Sequence, residues 1–128
     1  MVSEHKKQKS LFVISQRINI KPLSVNEAWQ GKRFKTKKYK QYEKQLLTLL
    51  RRSSALDDLK KHEKLKLEIN LGFSSANSDY DNPIKLIQDI LQKKYVFNDS
   101  KIYEARIKKN IVNKGHEYFD FTITKLDY

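Results

Sequence analysis

The chain has 128 residues, with 27 Lys and Arg against 15 Asp and Glu, a formal net charge of +12. That length fits one domain with a modest core and little room for a deep pocket around a large cofactor, and the charge excess is the footprint of a polyanion binder. With no cysteine, disulfides, zinc–thiolate sites and cysteine nucleophiles are excluded and a reducing cytoplasm is the expected location.

In chain order, Met1–Ser10 reads as a flexible basic lead-in without the apolar run of a signal peptide, and residues 11–128 as the domain proper. Leu11–Ile20 is rich in β-branched residues and reads as a strand, with Phe12, Ile14, Ile18 and Ile20 on one face. Lys21–Lys38 is a long connection. Pro22, Ser24, Asn26 and Gly31 argue against regular structure through most of it. Thr36 is placed to cap a helix running to about Ser53, with Tyr39, Tyr42, Leu46, Leu49 and Leu50 as its apolar stripe. Ser53–His62 is polar and reads as a loop or a short helical continuation. Leu65–Phe73 alternates apolar and polar residues throughout, the pattern of a strand with one buried face. Pro83 opens a second helix that Asn82 or Asp81 would cap and that ends near Lys94, with Ile84, Ile87, Ile90 and Leu91 facing inward. Ile102–Ile111 and Glu117–Leu126 read as strands, and Asn113-Lys114-Gly115-His116 signals a hairpin between them. The order β-loop-α-β-α-β-β predicts a single α+β domain: a largely antiparallel or mixed sheet of about four strands covered by two helices.

The chemistry concentrates between Asp79 and Asp99. Asp79 and Asp81 are two residues apart, so in extended backbone both carboxylates point the same way. Lys85 follows within one helical turn, and Asp99 lies in the loop after the helix. Strand end, helix start and return loop can converge at one end of the sheet. Three carboxylates there would suit Mg²⁺, which prefers a few carboxylate oxygens and keeps several waters, and such an ion can activate water for attack on a phosphodiester. A plainer reading is also open: Asp-x-Asp-Asn is rich in turn residues, an Asp before Pro often caps a helix, and Lys85 can pair with Asp89 on the helix surface.

Asp79-Tyr80-Asp81-Asn82-Pro83-Ile84-Lys85 resembles the D-x-D-N-x-x-K core of RusA-type Holliday junction resolvases. The similarity continues through Asp89-Ile90-Leu91 and Val96-Phe97-Asn98-Asp99-Ser100-Lys101-Ile102. Upstream, Pro22-x-Ser24-x-Asn26 with Trp29 and a basic loop resembles the family's N-terminal segment. The resemblance implies a homodimer that binds four-way DNA junctions and cuts two strands symmetrically with Mg²⁺ or Mn²⁺. It assigns the essential acids and metal ligands to Asp79, Asp81 and Asp99, the essential lysine to Lys85, and a motif position beside the acids to Asn82. One departure is Asn98-Asp99, where the family tends to carry two adjacent acids. Asp99 is the aligned one because Ile102 then falls on the matching apolar position.

Lys32, Arg33, Lys35, Lys37, Lys38 and Lys40 lie among Trp29, Phe34 and Tyr39, which suits phosphate contacts combined with base stacking. Asn82 joins them as a candidate DNA contact. His5, His62 and His116 have no metal-ligand spacing, and neither a phosphate-binding loop nor a nucleotide cofactor is expected from three glycines. Phe73 is either core or a wedge between DNA strands. No membrane partner is expected, since nothing approaches the length of a span. The competing functional readings are a non-catalytic basic nucleic-acid-binding module and a relative that binds junctions without cutting them.

Overall fold

The computed structural model describes residues 12–31, 34–52 and 56–128. The basic lead-in with His5 and the cations Lys32 and Arg33 lie outside the described residues, and the helix expected to run to about Ser53 ends at Leu49, where Leu50 is already in extended backbone. The elements are β1 (Phe12–Ile18), α1 (Val25–Ala28), β2 (Trp29–Gln30), β3 (Phe34–Lys35), α2 (Lys37–Leu49), α3 (Leu56–Lys61), β4 (Leu65–Phe73), α4 (Ile84–Tyr95), a 3₁₀ turn (Asp99–Lys101), β5 (Ile102–Ile111) and β6 (Tyr118–Lys125). The main sheet has the order β1-β6-β4-β5. β6 is antiparallel to both neighbours and β5 is parallel to β4, so this is the mixed, α+β arrangement that the element order predicts.

The core follows from the period-2 pattern. Leu65, Leu67, Ile69, Leu71 and Phe73 of β4 are buried together with Phe119, Phe121 and Ile123 of β6 and Ile14 and Ile18 of β1. Two helices close over them: Tyr39, Tyr42 and Leu46 from α2, and Leu86, Ile87, Ile90, Leu91 and Tyr95 from α4. Of the expected α2 stripe, Leu49 is exposed. The opposite face of the sheet is polar: Ser15 bonds Thr122 at 2.9 Å, and Asp120 accepts from Asn70 at 2.7 Å and from Arg17 at 3.1 Å. On that face Gly72 lies under the Tyr118 ring. A Cβ there would stand 2.3 Å from Tyr118 Cε1, and the ring is itself held between Arg17 (4.0 Å) and the Asn110 amide (3.0 Å).

Thr36 caps α2 as its sequence position requires, accepting from the Tyr39 N–H at 3.1 Å, while its hydroxyl donates to the Glu27 carbonyl at 2.7 Å. Four expectations change. The connection 21–38 is not irregular throughout: Ser24 caps the short helix α1, β2 pairs antiparallel with β3, and Gly31 after β2 takes φ +67°. Residues 56–61 form α3, pinned by the buried Leu59. No side chain caps α4: Pro83 itself stands at the cap position, before Ile84. β5 and β6 are not a hairpin, because β4 is inserted between them. The turn at Gly115 (φ +93°) reverses the chain across the end of β4, where Val112 N–H donates to the Phe73 carbonyl at 2.7 Å. β4, α4 and β5 thus make a parallel β-α-β unit.

Candidate active site

β4 ends at Phe73, and the chain then forms the loop that carries the acid pair before entering α4. Asp79 and Asp81 are both exposed. Short local bonds shape the loop: Ser78 N–H to the Ser75 carbonyl (3.2 Å), Asn77 N–H to Ser75 Oγ (3.3 Å) and Ile84 N–H to the Asp81 carbonyl (3.2 Å). Asn82 Nδ2 donates to Asp79 Oδ2 at 3.3 Å, so this amide orients one carboxylate and leaves the helix uncapped. Facing this loop is the Lys21–Glu27 segment, tied to it by Val25 N–H to the Asn82 carbonyl at 3.3 Å. Between the two walls is a cleft of about 280 Å³ lined by Lys21, Ser24, Asn77, Asp79 and Asn82, with Phe73 beneath. Phe73 is buried, so its role is core.

Lys85, in the first turn of α4, places its Nζ 3.4 Å from Asp89 Oδ1. Both side chains are well exposed, and such a pair is worth only about 0.3–0.5 kcal/mol.

Asp99 does not join the other acids within one chain. It sits in the 3₁₀ turn before β5, its N–H donating to Gln92 Oε1 at 3.0 Å. In a parallel β-α-β unit, the residue before the helix and the residue after it lie at opposite ends. The 12 residues of α4 span about 18 Å at 1.5 Å per residue. Among the described residues no group of three or more His, Asp or Glu side chains stands close enough to hold a metal. The expected convergence at one sheet end is corrected for Asp99; Asp79, Asp81 and Lys85 lie on the stretch that leads from β4 into the first turn of α4.

The basic segment divides. Lys35 is held by Glu43 (3.1 Å), which also takes Lys93 (3.2 Å), and Lys38 pairs with Glu27 (3.2 Å). Burial acts to raise the Glu43 carboxyl, but its bonds to the two lysines outweigh this and hold it below the usual carboxylate range. Lys37 and Lys40 are exposed on α2. Trp29 packs edge-on to Tyr39 at 5.5 Å with 37% of its surface open, while Phe34 is 73% exposed at the hairpin. His62 bonds the Leu126 carbonyl at 3.0 Å, and His116 lies exposed in the β5–β6 turn.

The reading of the sequence passed over Lys109. From β5 its Nζ donates to the carbonyls of Ala76 (2.8 Å) and Ser78 (2.5 Å), 5.8 Å from the Phe73 ring. It ties down the loop one residue before Asp79. A lysine on the core-side face of an edge strand was the available signal. Lys109→Met removes both bonds without emptying space. Partners that orient functional side chains typically carry 10–100-fold, so junction cleavage is expected to fall about 10-fold, with little change in melting temperature.

A strongly basic α+β domain with an exposed acid pair and a lysine at the mouth of a β-α-β unit defines a class, the small nuclease domains that act on polyanionic substrate. Within that class, the family described as endodeoxyribonuclease RusA matches residues 19–117, and the chain belongs to that family. Membership implies endonuclease activity on Holliday junctions and binding to branched DNA. No curated protein matches the chain. The donor set fits the divalent ion on which nucleases of this family generally depend. Asp79 and Asp81 offer hard oxygen atoms open to solvent, and Asn82 already orients one of them.

Proposed function

We propose that the protein is a Mg²⁺- or Mn²⁺-dependent resolvase that binds four-way DNA junctions as a homodimer and hydrolyses one phosphodiester in each of two opposed strands, in recombination and repair. The observation that carries this reading is the acid pair on the loop leaving β4, beside Lys85, in a chain of net charge +12. Asp79 and Asp81 would hold the ion. When bound it would lower the pKa of a water and polarise phosphate oxygens. Lys85, released from Asp89, would bind the scissile phosphate and offset the charge that builds on it. Asn82 keeps the Asp79 carboxylate turned to its task. Lys37 and Lys40 would hold the arms of the junction by their phosphates, and Trp29 and Phe34 would stack on bases exposed where the arms part.

The second reading, a binding module without catalysis, is favoured by one observation: the three acids do not meet within a single chain. Incubation with a synthetic four-way junction in Mg²⁺ separates the two. The resolvase reading expects paired nicks that vanish with a chelator, and a calorimetric Mn²⁺ site that depends on Asp79 and Asp81. A protein that binds the junction, leaves it intact and takes up no Mn²⁺ is the module instead.

A further inference from the structure

We propose that the groove between the small hairpin, α2 and α4 holds one unpaired nucleotide of a DNA strand, its base stacked on Trp29 and its phosphate clamped by Lys35 and Lys93. The proposal rests on the nuclease reading for the source of that strand, the branched substrate, and deepens it by assigning a site for a single nucleotide outside the acid loop.

The first support is the aromatic wall. Trp29 and Lys35 stand directly opposite each other in the β2–β3 pairing, so their side chains share one face of the hairpin. Buried Tyr39 backs that face. Its ring centroid lies 5.5 Å from that of Trp29, edge-on, and 5.1 Å from Lys35 Nζ. The contact fixes the indole and still leaves 37% of Trp29 open. A fixed, open aromatic surface suits stacking of any base, because every base has a π-face.

The second support is a pair of cations drawn together by a carboxylate. Lys35 comes from β3 and Lys93 from α4, and only the fold brings them side by side. Glu43 Oε2 takes Lys35 Nζ at 3.1 Å, and Oε1 takes Lys93 Nζ at 3.2 Å, with 16% of the Glu43 side chain exposed. An ammonium group has three N–H donors, so each lysine keeps donors for another acceptor. Two ammonium groups against one carboxylate leave the triad positive. With both lysines already ordered, a phosphate bound between them costs less side-chain entropy than at two free surface lysines.

The third support is place. The groove encloses about 440 Å³, within the range of roughly 300–1,000 Å³ usual for small-molecule sites. Asp89 lines it, and Asp89 is the residue that pairs with Lys85. The groove and the lysine beside the acid pair therefore adjoin along α4. Lys85 and Lys93 are two helical turns apart, about 12 Å at 1.5 Å per residue. That is roughly three to four phosphates along a strand at about 3.4 Å each. A strand with its scissile phosphate at Lys85 reaches the groove within a few nucleotides, and a base that has lost its pairing partner at a branch point is free to turn into it.

Trp29 is the only tryptophan of the chain, so its fluorescence reports on the groove directly. The full chain is titrated in a chelator, where nothing is cut. A thymidine tetranucleotide should quench the emission saturably, whereas a blunt linear duplex should bind without the quench. Thymidine 5′-monophosphate should give the same quench only at much higher concentration. Lys93→Met, at a side chain 55% exposed, should weaken tetranucleotide binding about tenfold and lower its salt dependence by about one phosphate contact, with melting temperature unchanged. Lys93→Arg should keep most of the affinity. Emission that stays unmoved while calorimetry shows the tetranucleotide bound, equal quenching by the duplex, or a Lys93→Met protein that binds like the parent would overturn the proposal. Monophosphate binding as tight as that of the tetranucleotide would overturn it too, by making the groove a site for free nucleotides. If the unmodified protein cuts no junction in Mg²⁺, the nuclease reading fails, while the fluorescence still decides whether the groove takes an unpaired nucleotide.

Discussion

Replacing Asp81 with Asn is expected to lower junction cleavage by at least about a hundred-fold while junction binding stays the same or tightens. The floor follows from the weaker neighbours of metal ligands, whose loss alone costs 10–100-fold; a carboxylate that itself holds the ion contributes more. The substitution is nearly isosteric, and Asp81 is exposed. Its structural duty, accepting the Ile84 N–H at 3.2 Å, belongs to the backbone carbonyl, so the fold should be untouched. Binding is expected to move the other way because the formal charge rises from +12 by one, removing a repulsion between carboxylate and phosphate. Gel shift in a chelator reads binding, and timed cleavage in Mg²⁺ reads catalysis. Equal cleavage by both proteins would remove Asp81 from the chemistry. A parallel fall in binding would point to damage to the loop instead.

Much of this site could be read from spacing. Asp79, Asp81 and Lys85 share one loop and one helical turn, and local geometry fixes such groups. Asp99 shows where spacing stops. Its motif places it after a helix, and a 12-residue helix between parallel strands must carry it to the far end. The helix is legible in the sequence; the parallel pairing of the strands on either side of it is not. Asn113-Lys114-Gly115-His116 misled for a related reason. Turn chemistry records that the backbone reverses, and it carries no information about which strand lies beside which. The better signal was composition. Glu104, Arg106, Lys108 and Lys109 charge both faces of β5, the mark of an edge strand. Leu65–Phe73 alternates so regularly that it could accept neighbours on both sides, and it lies between β6 and β5. The Lys21–Lys38 segment hid its order because Ser24 and Thr36 act through caps. Their hydroxyls bind backbone groups two or three residues on or across to the Glu27 carbonyl, contacts that leave no hydrophobic period.

Phe121→Ala is expected to cost about 3–5 kcal/mol of stability, the usual range for an aromatic removed from a core. Phe121 is fully buried in β6, with Gln16 of β1 and Ile69 of β4 as its register partners on either side. Its ring lies 6.1 Å from that of Tyr95 on α4, so it joins the sheet to the helix that separates the acid loop from Asp99. Tyr95 cannot move in to fill the gap. Its hydroxyl donates to the Arg51 carbonyl at 2.7 Å, and burial pushes its pKa up to about 12, so the phenol stays a neutral donor. For a domain of 5–15 kcal/mol total stability, the loss is a large share, and melting should fall by roughly 10–20 °C. Phe34 provides the contrast. It is the same side chain left 73% exposed on the small hairpin, and Phe34→Ala should change stability by no more than about 0.5 kcal/mol. Junction affinity lost by Phe34→Ala at unchanged melting temperature would then measure stacking on DNA. A Phe121→Ala protein melting within a few degrees of the parent would mean that β6 does not hold α4 to the sheet.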